Sequence, residues 1–102
     1  MMSLELKVMV GEAKRAVKRA KEARKAWEGG KTGWEEFKNA AGYALAKVGL
    51  VLEDAYWGRD TAEREAACNK VRKLFGLGAM EDLPWDGASE LVGWDVVVEK
   101  EG

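Results

Sequence analysis

The 102 residues are read as one domain, 1–102, long enough to bury about two-thirds of the surface its unfolded chain would expose. A single cysteine, Cys68, and the absence of histidine exclude an internal disulfide and any cysteine–histidine zinc site or nucleophilic dyad built from one chain. Net charge is only −1, yet residues 1–28 carry eight basic and four acidic groups, 29–78 carry eight and seven, and the tail 79–102 carries one and seven. A basic front and an acidic tail invite either a polyanionic partner or a fold-back of one onto the other.

The chain also lacks glutamine and isoleucine and has only two asparagines. This composition fits a thermophilic source, and equally compositional drift in a GC-rich genome. Residues Met1 to Val10 have neither the basic start nor the continuous apolar core of a signal peptide, which points to the cytoplasm. The apolar run from Ala40 to Leu52 is interrupted by Lys47 and falls far short of the roughly 20 residues of a membrane span, so no membrane is expected.

In chain order, residues 4–10 satisfy two patterns. Leu4, Leu6, Val8 and Val10 alternate as in a strand, while Leu6, Val10, Ala13, Val17, Ala20 and Trp27 form a helical stripe running through Gly11. A lone strand is not stable, and the tail segment 91–99, where Val92, Trp94, Val96 and Val98 alternate, offers a partner. Their mutual need favours a small two-stranded sheet from the two terminal segments.

Residues 12–28 read as a helix, rich in Ala, Lys, Arg and Glu and stopped by Gly29 and Gly30. Lys14, Lys18, Lys21 and Lys25 recur at spacings of four, three and four and share one face. Such a row is most simply a solvated surface. Its functional reading is contact with nucleic-acid phosphates. Arg24 falls within the apolar face and must snorkel or pair with Glu28. The short linker Gly29 to Lys31 predicts a helical hairpin, closed where Trp27 packs on Trp34.

The central helix, 33–57, opens on Thr32-Gly33-Trp34-Glu35, which has capping-box spacing. Trp34, Phe37, Ala41, Ala44, Leu45, Val48, Leu52 and Ala55 give it a broad apolar face. On the other side lie Tyr43, Leu50 and Trp57, seven residues apart, beside Gly42, Ala46 and Gly49. A helix with a side meant for water would carry charge there, so two neighbours are implied. Either both are helices of the same chain, or the second face docks another subunit.

A third helix, 61–75, is opened by Asp60 and stopped by Gly76, with Arg72 and Lys73 complementing the dipole of its last turn. The loop Leu83-Pro84-Trp85-Asp86-Gly87 follows, and Trp85 is read either as its anchor or as an exposed contact.

The fold class expected is mainly α: a three-helix bundle built on a long antiparallel helical hairpin, with the small terminal sheet. No catalytic, cofactor-binding or metal-ligating set is legible. The adjacent pairs Glu35/Glu36 and Glu53/Asp54 point away from the core face, and Gly-Gly-Lys-Thr-Gly at 29–33 lacks the first glycine and preceding strand of a phosphate loop. The sequence therefore reads as a non-enzymatic binding and assembly protein, with no small-molecule substrate. Its expected partner is a protein or a second copy, through Tyr43, Ala46, Leu50, Trp57, Trp94 and Val96. The alternative is a nucleic-acid-associated subunit using Lys14, Lys18, Lys21 and Lys25.

Overall fold

In the computed structural model, which describes residues 3–58 and 60–102, the chain begins with a helix where the alternation suggested a strand. Ser3 holds an extended backbone and its hydroxyl oxygen accepts a hydrogen bond from the Leu6 amide at 3.1 Å, satisfying one of the unpaired donors of a first turn. From there α1 runs Leu4–Glu28 without a break at Gly11. The helical stripe decides the outcome: Leu6, Val10, Ala13, Ala16, Val17 and Ala20 are all buried along one side. The expected strand at 4–10 is corrected accordingly, since a helix satisfies its own backbone while a strand there has nothing to pair with.

The other half of the expected sheet is corrected as well. Residues 91–99 contribute to two short helices, α4 (Ala88–Val92) and α5 (Trp94–Glu101), and no strand occurs among the described residues. Gly93 separates them with a φ of +84°. A Cβ at this position would also lie 3.0 Å from Cζ of Phe37, so both conformation and space favour glycine here. The turn at Gly93 destroys the apparent alternation: Val92 and Val97 are buried, while Val98 is exposed.

Two further helices complete the order, α2 (Trp34–Tyr56) and α3 (Thr61–Leu74). The capping box expected at Thr32 does not form. Gly33 occupies the cap position without a side-chain bond, and Thr32 Oγ1 is buried with no partner. Two glutamates in the first turn, Glu35 and Glu36, instead favour that helix end through the dipole. Asp60 does precede α3, but its side chain makes no capping bond.

Helices α1 and α2 pack against each other from their connection inward. Trp27 and Trp34 contact edge to face at 4.9 Å beside the connection, and Glu12 Oε2 lies 3.6 Å from Lys47 Nζ further along. Between them Ala13, Ala16, Ala20, Ala44, Val48, Leu52 and Ala55 form the main core, joined by Cys68, Val71 and Phe75 of the third helical segment and by Ala88 and Val92 of α4. A smaller cluster of Phe37, Ala41 and Val97, flanked by Trp27, Trp34 and Trp94, seats α5.

The connection from α3 to α4 is held by a buried cation. Arg72, 4% exposed, donates from Nε to the Gly78 carbonyl and from Nη1 to the Pro84 carbonyl, each at 2.7 Å. It does not point past the helix end as its sequence position suggested. No carboxylate pairs with it among the described residues, so backbone oxygens alone offset the desolvation of its charge. Pro84, not Trp85, is the buried anchor of this loop, and Trp85 stays 38% exposed.

Candidate functional site

Helix α2 packs against α1, α3, α4 and α5, and among the described residues one strip of it stays largely exposed. Its core side is set by Phe37, Ala41, Ala44, Val48, Val51, Leu52 and Ala55, all buried. At 100° per residue, Tyr43, Leu50 and Trp57 fall on the side turned away from that face. They are 55%, 56% and 57% exposed. The expectation that another helix of the same chain covers this side is met only at Gly42, on which Trp94 of α5 rests; the three large side chains stay more than half exposed. Large apolar side chains in isolation are ordinary on a surface, but three in one line are not.

The strip has a charged margin. Lys47 lies between Tyr43 and Leu50 in sequence, its ammonium 5.4 Å from the Tyr43 ring centroid and 3.6 Å from Glu12. Glu53 and Asp54, one turn beyond Leu50, are exposed, as is Ala46. Trp57 rests one edge against Tyr56, with ring centroids 4.8 Å apart. Val8 of α1 is 52% exposed and stands one turn before Glu12.

The remaining interface candidates lie elsewhere. Trp94 is half-buried with its ring against Gly42, where a Cβ would lie 3.2 Å from Cζ3. A tryptophan from α5 thus exploits the glycine, where a second helix backbone was anticipated. Val96 packs against the Phe37 cluster. These two side chains help to dock α5 and do not join the Tyr43, Leu50 and Trp57 strip. Gly49 faces open space.

Lys14, Lys18, Lys21 and Lys25 are all exposed and line a shallow depression on α1 floored by Val17. None of the four enters an ion pair among the described residues. Arg24 pairs with Glu28 at 3.6 Å, as its position predicted. The acidic tail makes its ion pair on a different helix: Glu101 accepts from Lys38 at 2.7 Å and from the Trp34 indole at 2.9 Å.

That clamp shifts both of its ionisable members. Hydrogen bonding from Lys38, then from Trp34, holds the Glu101 carboxyl below its ordinary value, and the bond to Glu101 raises the Lys38 ammonium. Lys100 adds its charge over the Trp34 and Trp27 rings at 4.7 and 5.2 Å. The only cysteine, Cys68, is buried, and burial pushes its thiol above the usual range despite the opposing charge of Arg72. A raised thiol has little thiolate and so little nucleophilicity.

Among the described residues no three histidine, cysteine, aspartate or glutamate side chains gather closely enough to hold a metal ion, and no helix is long and apolar enough to cross a membrane. No protein-family model, curated protein or solved structure matches the chain. Functional assignment therefore rests on surface chemistry, where the apolar strip and the lysine row are the two candidates.

Proposed function

We propose that this chain is a small, non-enzymatic helical assembly protein of the cytoplasm, and that it associates with a second copy of itself through the uncovered side of α2. In this reading residues 1–102 form one folding unit. The α1–α2 hairpin with α3 serves as a rigid three-helix scaffold, and α5 closes one end. One observation carries the proposal: Tyr43, Leu50 and Trp57, at seven-residue spacing, each leave more than half of their surface in water. Covering such side chains releases about 25 cal/mol per Å² of apolar area, the usual driving force for association.

Leu50→Glu tests this. The substitution places a charge where the account needs dry contact, and an unpaired buried charge is costly enough to weaken pairing by about a hundredfold or more. Size-exclusion chromatography with light scattering should show a dimer for the native chain and a monomer with unchanged helicity for the variant. A native chain that remains monomeric at high concentration contradicts the proposal.

A second reading is supported by the unpaired, exposed state of Lys14, Lys18, Lys21 and Lys25: contact with nucleic-acid phosphates. Such binding would depend steeply on salt through counterion release. Titration of fluorescent DNA and RNA at low and moderate salt checks it, and absence of binding at low salt removes it.

A further inference from the structure

We infer that the two copies pair antiparallel, related by a twofold axis that passes beside Leu50. This rests on the self-association proposed above and adds its geometry. In a symmetric interface the same patch serves both copies, so each residue before the axis meets one equally far beyond it. Tyr43 and Trp57 each stand seven positions from Leu50, and the axis brings Tyr43 of each copy against Trp57 of the other. Lys47, three positions before Leu50, and Asp54, four beyond it, lie on the same flank of α2 at 100° per residue, so the same axis brings opposite charges together twice.

A parallel arrangement does the reverse. It turns the Lys47 and Asp54 flank of each copy towards the Ala46 and Glu53 flank of the other, which sets Asp54 beside Glu53 and leaves Lys47 facing Ala46; stacking like charges beside a small apolar strip is a means of rejecting that orientation. Antiparallel pairing also places Glu53 opposite Ala46, whose short side chain leaves the carboxylate open to water. The existing contact of Lys47 with Glu12 is no obstacle. It is a long, partly exposed pair at 3.6 Å with little energy to lose, and the lysine stem is flexible enough to reach Asp54 of a second copy. Two helices packed about 8–10 Å apart bring facing Cα atoms within disulfide range.

Cross-linking on a Cys68→Ala background, under a mild thiol oxidant, separates orientation from association. Leu50→Cys lies at the axis and should give a covalent dimer in either orientation. Tyr43→Cys and Trp57→Cys should cross-link when mixed and not when oxidised separately. A charge exchange gives an independent readout: Lys47→Glu should weaken the dimer by about tenfold, and Lys47→Glu with Asp54→Lys should restore it. Cross-linking of Tyr43→Cys with itself, or failure of the double exchange to rescue, overturns the antiparallel geometry while leaving self-association intact. Failure of Leu50→Cys to cross-link overturns both, whether the chain is monomeric or dimerises through another surface.

Discussion

Trp34 and Trp57 stand at the two ends of one helix and have opposite fates. Trp34 sits in a closed aromatic group with Trp27 and Phe37, donates its indole proton to Glu101 and lies under Lys100. Trp57 keeps a single ring neighbour, Tyr56, and is 57% exposed. The difference is a matter of supply. The chain's own C-terminal helix returns to cover the first end and reaches nothing at the second. A tryptophan carries a large apolar surface, so the uncovered one is where a partner gains most.

The largest effect expected from this contrast is on stability. Phe37→Ala removes a fully buried ring at the closed end and should destabilise the fold by about 3–5 kcal/mol. Trp57→Ala, measured dilute enough to keep the chain monomeric, should change stability by no more than about 0.5 kcal/mol while weakening association at higher concentration. Chemical denaturation of both variants at two protein concentrations checks the pair. Equal stability losses at low concentration would erase the distinction between the two ends.

A smaller effect concerns pH, and it belongs to the closed end. Because the Glu101 carboxyl is held below its ordinary value, its contribution is present above the usual carboxylate range and lost as pH falls through the lowered value. Lys38 is raised, so its contribution is full below the ordinary lysine value and lost as pH climbs through the raised one. Docking of α5 should therefore be firmest around neutrality. Protection factors of α5 amides, taken relative to intrinsic exchange at each pH, should fall in acid, and Glu101→Gln should remove most of that acid dependence. Both groups are exposed, so the change should be modest.

Much of this contrast was legible in the residues. The helical stripe from Ala13 to Trp27, the core face of α2 and the Trp27–Trp34 contact follow from spacing alone, because a periodicity of 3.6 is hard to satisfy by accident over several turns. The two terminal segments were not legible, for a physical reason. Leu4 to Val10 fits periods of two and of 3.6 together, and the choice between them depends on whether a partner strand exists. Its intended partner was itself misread: the alternation at 92–98 conceals a left-handed turn at Gly93, which pattern alone does not reveal. Ser3, a good cap residue immediately before Leu4, held the signal that favoured a helix.

At the candidate site the strip itself was read from its seven-residue spacing, but its bare state was not. Whether α2 has one or two intramolecular neighbours depends on where α5 lands, and α5 lands on Gly42 and Phe37, one flank away from Leu50. Trp94 and Val96 were read as strand residues; they belong to α5, half-buried against Gly42 and the Phe37 cluster. Arg72 was read only as complementing the dipole of its helix, and its hold on the loop was not legible because its two acceptors are backbone carbonyls, which carry no signature in side-chain sequence.

The central claim, that α2 has a side meant for another copy of this chain, is tested most directly by sedimentation equilibrium from about 1 to about 300 µM, a range suited to a small interface. The account predicts a reversible rise in mass from the 11.3 kDa of one chain towards twice that value. A single species at the one-chain mass throughout would contradict it.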